Sequence, residues 1–242
     1  MAPVNFLRLA RRGSPANFDV QNRGMGMTLR LVIGNKCYSS WSLRPWLAMR
    51  QLGIAFEEVL IPLDMPETKA AIARFSPAGK VPVLIDGDIA IWETLAILEH
   101  LDETHAAGRL WPEDRAARAE ARAIANEMHA GFQPLRNALP MNVRRPIAPL
   151  PMDAAVLANI ARIEALWSGA RARHGAGGPF LFGAFSAADA MYAPVVYRFH
   201  HYAVPVSAPV RAYMETIRAL PAMQEWVAAG TAEPWVIADD EK

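Results

Sequence analysis

The sequence predicts two structural halves in series, a small α/β unit followed by an all-helical unit. Two observations predict this. From Thr28 to about Thr104, short β-rich runs alternate with stretches of helical periodicity, and beyond Trp111-Pro112 apolar residues recur at helical spacing with no convincing strand. A third observation bounds the class: no apolar run reaches the about 18 residues of a membrane span.

The elements follow in order. Leu29–Gly34 is a β-rich run, and a polar loop, Asn35 to Ser40, follows it. Leu43, Trp46, Leu47 and Leu52 place a helix over about Ser42–Leu52, closed by Gly53 as a C′ glycine. Pro45 is tolerated best in a first helical turn, which sets the expected start near Ser42. Phe56–Ile61 reads as a second strand, Thr68–Phe75 as a short helix, and Val81–Ile85 and Ile89–Trp92 as a hairpin around Asp86-Gly87-Asp88. Glu93–Glu103 is a helix. The order β-α-β-α-β-β-α implies one parallel crossover and one antiparallel hairpin. In the second half, helices are expected over Arg115–Leu139, along the stripe Val156, Leu157, Ile160, Ile163, Leu166 and Trp167, over Met191–Tyr197 behind a Ser186–Asp189 capping box, and over Thr216–Ala219 and Met223–Ala229.

Composition narrows the function classes. The 242 residues are 52% hydrophobic and 20% charged, an ordinary globular mix. Twenty-five basic against 24 acidic side chains leave a formal charge of +1, without the basic excess of a nucleic-acid binder. The lone Cys37 excludes an internal disulfide, a CxxC pair and a cysteine-rich zinc site. The six histidines show no metal-binding motif such as HExxH, so no metal is expected; His200-His201 reads as a helix surface. Neither a P-loop nor a GxGxxG fingerprint is present. The chain reads as soluble and cytoplasmic, with no nucleic-acid or membrane partner. Residues 1–27 carry Arg8, Arg11, Arg12 and Arg23 without periodicity and read as an extension outside the fold, with Met27 an alternative start of translation.

Three segments carry chemistry. Tyr38-Ser39-Ser40-Trp41-Ser42 joins a strand to the helix after it, and unpaired N–H groups at a helix N-terminus stabilise an anion such as a thiolate. Serine hydroxyls there donate to such a sulfur, or else serve only as caps. Lys80-Val81-Pro82 opens a strand, where a cis proline would present the Val81 main chain to a peptide-like ligand. Glu93-Thr94 begins a helix, with a carboxylate for an ammonium and a hydroxyl and N–H for a carboxylate.

Together these segments resemble the cytosolic glutathione S-transferase family, over about Leu29 to Trp235, and within it the zeta (maleylacetoacetate isomerase-like) class as a bacterial branch. Ser39-Ser40-Trp41-Ser42-Leu43-Arg44 stands where that class has Ser-Ser-Cys-x-x-Arg. Lys80-Val81-Pro82 stands for Gln-Val-Pro, Glu93-Thr94 for Gln-Ser, and Gln133-Pro134-Leu135-Arg136-Asn137 for Gln-Pro-Leu-x-Asn. The resemblance implies a thioredoxin-like glutathione-binding domain over 28–106, a linker at 107–111, an all-helical domain over 112–236 and a tail at 237–242. It implies glutathione as co-substrate, a small electrophile as its partner in the reaction, and a homodimer. Ser39 would activate the thiol with help from Ser40; Trp41, Lys80, Val81, Pro82, Glu93, Thr94, Gln133 and Asn137 would contact glutathione.

Trp41 replaces the zeta cysteine, and Pro45 enters a turn that has no proline in the zeta pattern. Met141, Asn142, Arg144 and Arg145 are expected at the acceptor pocket, with Arg144 or Arg145 either a carboxylate ligand or part of a solvated basic turn. Three activities fit the resemblance: a glutathione transferase, a glutathione-dependent cis–trans isomerase, and a non-catalytic glutathione-binding or regulatory module.

Overall fold

The computed structural model describes residues 29–242. The expectations for 1–27, including the alternative start at Met27, lie outside the described residues. Four strands, β1 (Leu29–Ile33), β2 (Phe56–Leu60), β3 (Val83–Asp86) and β4 (Ile89–Trp92), form one mixed sheet in the order β2-β1-β3-β4. β2 runs parallel to β1, while β3 pairs antiparallel with both β1 and β4. Strand alternation sorts β1 between two cores: Leu29, Leu31 and Ile33 face the larger one, with α1 (Ser40–Gln51) and α3 (Thr94–Thr104). Val32 faces a smaller one with Ile61, Val83 and Ile72 of α2 (Thr68–Ala73).

The second half holds α4 (Arg115–Ala130), α5 (Gln133–Ala138), α6 (Ala154–His174), α7 (Ala187–His201), α8 (Ala208–Ala219) and α9 (Pro221–Ala232). α7 lies at its centre, buried from Ala187 to Phe199, and packs against α1, α4 and α8. Trp167 of α6 anchors this bundle edge-on to Tyr192 at 5.5 Å and Tyr213 at 4.9 Å. The expected fold is therefore observed: a small α/β unit with a four-stranded sheet, then a helical unit.

Four local expectations are corrected. α1 begins at Ser40 rather than near Ser42, so Pro45 lies in its second turn. The proline leaves the Trp41 carbonyl without its helical donor, and the Thr94 hydroxyl donates to that carbonyl at 3.4 Å. The helix expected over Arg115–Leu139 is two helices, because Phe132 takes a left-handed φ of 58° and a Cβ on Gly131 would meet the Glu127 carbonyl at 2.8 Å. β3 starts at Val83, after the proline rather than on it. Leu157 is exposed: it sits about 100° around α6 from Val156, which faces the core with Ile160, Ile163 and Trp167. At the end of α1, Gly53 N–H bonds the Arg50 carbonyl and Ile54 N–H the Met49 carbonyl, a Schellman closure with Gly53 at φ 67°.

The capping box at α7 is fully formed. Asp189 accepts from the Ser186 N–H and hydroxyl, each at 2.8 Å, and from the Leu181 N–H at 3.1 Å. Burial pushes its carboxyl up to about 6, against the pull of these hydrogen bonds. Asp189→Ala would orphan the buried Leu181 and Ser186 N–H groups at about 1–3 kcal/mol apiece. We expect a loss of about 3 kcal/mol, read by thermal denaturation as a Tm lower by roughly 6–12 °C.

Candidate functional site

The site is built on Gly34–Ser39, an irregular segment in which only the Tyr38 and Ser39 N–H groups pair locally, with the Asn35 carbonyl at 3.2 and 2.8 Å. Its other partners come from across the chain. The Gly34 N–H donates to Ser42 Oγ at 3.0 Å, and Asn35 Oδ1 accepts from Leu63 N–H at 2.6 Å. The Glu233 carboxylate takes two successive N–H groups, Lys36 at 2.7 Å and Cys37 at 3.0 Å. Trp226 Nε1 donates to the Lys36 carbonyl at 2.8 Å, and Val143 N–H to the Cys37 carbonyl at 3.2 Å. α9 approaches so closely that a Cβ on Gly230 would lie 2.9 Å from the Cys37 nitrogen.

This bracing presents the N-terminus of α1. Ser39 is its cap: its hydroxyl accepts from Ser42 N–H at 3.4 Å and donates to Ser42 Oγ at 2.7 Å. Ser40 N–H bonds the Tyr38 carbonyl, whereas Trp41 N–H has no partner among the described residues. Ser40 Oγ accepts from Arg198 at 3.3 Å and keeps its own proton free among the described residues.

Across from it runs a cleft of about 290 Å³ lined by Trp41, Lys80, Val81, Pro82, Glu93 and Thr94, all named from sequence. The Val81–Pro82 peptide bond is cis. The Val81 N–H and carbonyl have no hydrogen-bond partner among the described residues. Glu93 sits at φ 68°, a left-handed value that costs a non-glycine residue on the order of 1–3 kcal/mol. Its side chain does not cap α3, so the first N–H groups of that helix, beginning at Thr94, stay unsatisfied and face an anion favourably. The Glu93 carboxylate instead lies 3.6 Å from His129 Nε2 and is half exposed.

Around Ser40 and Trp41 stand three arginines with no carboxylate partner among the described residues. The Arg44 guanidinium lies 4.1 Å from the Trp41 ring centre and donates to the Met191 and Ser40 carbonyls. Arg198 donates to the Arg136 and Leu139 carbonyls as well as to Ser40. Arg136 lines the cleft, 5.3 Å from the Trp41 ring centre. Burial, then the charges of Arg198 and Arg136, pull Arg44 well below the usual guanidinium range; burial brings Arg198 down to about 10, still protonated at neutral pH. The result is a partly dehydrated positive field at the α1 N-terminus, which lowers the pKa of a thiol placed there.

The structure places other sequence candidates elsewhere. Gln133 and Asn137 lie exposed on α5, where Gln133 bonds Asn137 at 2.6 Å and Arg136 at 2.5 Å. Neither lines the cleft; the side chain of that segment that does is Arg136. The acceptor candidates are likewise away from it. Met141 is buried in the core, and Asn142 accepts from Cys37 Sγ at 3.3 Å. Arg144 and Arg145 are not open to a carboxylate ligand, because their donors hold the C-terminal tail: Arg144 binds the Glu233 and Trp235 carbonyls, and Arg145 the Lys242 and His201 carbonyls. Cys37 is fully buried, and burial first of all pushes its thiol up, so it lacks the character of a nucleophile. Sequence reasoning missed Ala78, Trp92, His129 and Arg136 as lining residues and Arg44 and Arg198 as neighbours of the serines. Two of these had a signal: Arg44 is the arginine of the Ser39–Arg44 motif, and Arg136 lies inside the Gln133–Asn137 motif.

Fold and site define a class. Residues 38–104 match the family described as Glutathione S-transferase, N-terminal domain, and residues 115–229 match Glutathione S-transferase, C-terminal domain. The chain belongs to the glutathione S-transferase family. Among individual relatives it is similar to a probable maleylacetoacetate isomerase of Caenorhabditis elegans, 40% identical over 99 residues, which are 40% of this chain and 45% of the relative. It is also similar to a probable maleylacetoacetate isomerase of Vibrio cholerae, 32% identical over 112 residues, 45% of this chain and 52% of the relative. The matches thus span about half the length of these curated relatives. A solved maleylacetoacetate isomerase from Anaeromyxobacter dehalogenans, with glutathione bound in its active site, superposes with a TM-score of 0.59 at 28% identity, covering 86% of this chain and 98% of that one.

The close approach of α9 to the loop yields a test. Alanine favours a helix by about 1 kcal/mol over glycine, yet Gly230→Ala would push on the Cys37 main chain and on Val143, which cannot yield like the end of a flexible side chain. We expect Tm to fall by several degrees; an unchanged or higher Tm would mean the loop is not braced by α9.

Proposed function

We propose that the protein is a glutathione transferase that ionises bound glutathione at the N-terminus of α1 and adds the thiolate to a small electrophile. The observation that carries this reading is the cleft itself: the unpartnered Val81 main chain, the uncapped start of α3 at Thr94 and the Glu93 carboxylate converge on one wall. A tripeptide with a carboxylate and an ammonium at its γ-glutamyl end matches these groups in kind. Val81 would pair with the cysteinyl backbone, Thr94 would hold the γ-glutamyl carboxylate, Glu93 would hold the ammonium, and Lys80 would meet the glycyl carboxylate.

The sulfur then lies toward Ser39, Ser40 and the Trp41 N–H. Ser39 donates to it by turning its hydroxyl from Ser42 Oγ, and Ser40, polarised by Arg198, assists. The thiol proton leaves to solvent and the thiolate forms the new carbon–sulfur bond as a leaving group departs with its bonding pair or, at a polarised double bond, as the displaced π pair takes a proton from solvent. The chain thus contributes orientation and charge stabilisation and no covalent intermediate of its own. The same proposal includes the division at 107–111, a homodimer and a cytoplasmic location. Among the described residues, no helix is long and apolar enough to cross a membrane.

A second reading keeps this site and regenerates glutathione: the thiolate adds to a maleyl-type double bond, the resulting single bond rotates, and elimination releases the trans product and the thiolate. Arg136 favours it, as a cleft-lining guanidinium without a carboxylate partner that suits a carboxylate-bearing electrophile.

Two measurements test these readings. Ser39→Ala should lower turnover on the order of 10²-fold, as loss of one preorganised donor does, and should abolish the ultraviolet thiolate absorbance of bound glutathione at neutral pH. A wild-type spectrum in the variant overturns the role of Ser39, and failure of the wild-type chain to bind immobilised glutathione overturns the whole reading. In the isomerase reading, Arg136→Met should raise KM for a maleyl-type diacid at least tenfold more than KM for a neutral electrophile; equal effects on the two, or no turnover of the diacid by the wild type, remove that reading.

A further inference from the structure

Away from the cleft, the β3–β4 hairpin and the C-terminal end of α3 bring together three side chains that the reaction does not use. Asp86 Oδ2 contacts His100 Nε2 at 2.9 Å and His105 Nε2 at 2.8 Å. One ligand atom from each of the three lies within 4.8 Å of the others. Side-chain exposures of 18%, 19% and 29% leave the cluster half-buried, with one side open to water.

We infer that Asp86, His100 and His105 form a binding site for a single divalent transition cation of the zinc class. Imidazole nitrogens with one carboxylate suit zinc, cobalt or nickel, whereas calcium and magnesium prefer all-oxygen shells. Bonds of about 2.0–2.1 Å set tetrahedral ligand atoms roughly 3.3 Å apart. The nitrogen–oxygen contacts therefore need to open by only about half an ångström to admit the ion. Three protein ligands leave the fourth position to water on the exposed side. The site also lies toward the C-terminal, negative end of the α3 dipole, which favours a cation. Bound there, the ion would tie the hairpin to the far end of the helix whose near end is Thr94, so its role is structural.

The same contacts exist in a metal-free hydrogen-bonded cluster, and binding decides between the two. The full chain, stripped with chelator and freed of glutathione (whose thiolate is itself a zinc ligand), is dialysed against micromolar zinc, and cobalt is added in parallel. One equivalent should be retained, with a visible cobalt spectrum. Tm should rise by roughly 3–5 °C when free ion is about tenfold above its dissociation constant. His100→Gln/His105→Gln should lose the equivalent, the spectrum and the Tm shift while keeping its helical circular dichroism. Should that variant not fold, His105→Gln alone, at the more exposed ligand, should lose the equivalent. No bound equivalent in the wild type, or the same equivalent in a folded variant, overturns the site.

Discussion

The arrangement depends on one carboxylate. Glu233, just beyond α9, accepts the N–H groups of Lys36 and Cys37, two consecutive donors in a segment with no regular structure to satisfy them. A buried segment of this kind persists when its main-chain groups find partners, and here those come from its own Asn35 carbonyl, from the β2–α2 connection, from α9 and from the turn at Val143. Its side chain is fixed in the same way: the Lys36 ammonium pairs with Glu58 at 2.7 Å and lies over the Trp46 and Trp226 rings. The two halves of the chain are thus coupled through the loop that carries the serines. Arg144 and Arg145 belong to this bracing, since they fasten the tail that follows Glu233.

What the braced loop holds in place is mostly main chain and positive charge. In the free chain the Ser39 hydroxyl is turned to Ser42 and must swing away to meet an anion, so the elements already unoccupied there are the Trp41 N–H, the Ser40 hydroxyl and the field of Arg44, Arg136 and Arg198. Pro45 takes part by an indirect route. By withholding an N–H from the Trp41 carbonyl, it frees that carbonyl to accept from Thr94, which links the starts of α1 and α3 across the cleft. The substitution that looked out of place in the sequence becomes a tie between the two helix N-termini.

The order of elements was legible because strand and helix periods are written in β1, β2, α1 and α6 and because Gly53 and Asp86-Gly87-Asp88 mark their own turns. Cleft residues on the α/β side were legible too, since Trp41, Lys80, Val81, Pro82, Glu93 and Thr94 sit where strands and helices begin. The helical side was not. Gln133 and Asn137 share a motif with Arg136, but the left-handed Phe132 rotates α5 so that Arg136, not its neighbours, turns to the cleft. Arg44 closes the Ser39–Arg44 motif, but neither that motif nor the periodicity of the buried helices that carry Arg44 and Arg198 tells a buried arginine from an exposed one. Arg144-Arg145 reads as a carboxylate site or a solvated turn because much of what occupies it is distant in sequence: Arg144 donates to the Glu233 and Trp235 carbonyls, and Arg145 to those of His201 and Lys242 besides the nearby Pro146 and Ala148.

Two left-handed residues precede helices that supply cleft residues, Glu93 at the start of α3 and Phe132 just before α5. Each position costs on the order of 1–3 kcal/mol that local sequence does not repay. At Glu93 the strained turn leaves the helix uncapped and directs the carboxylate toward His129 rather than onto its own N–H groups. At Phe132 the turn brings Arg136 beside Trp41. Strain, an uncapped helix and unpaired guanidiniums are each unfavourable in the free chain, and an anionic ligand relieves the last two together. In the proposed reading, negative charge entering between α1 and α3 would offset the exposed helix dipole and the arginines together.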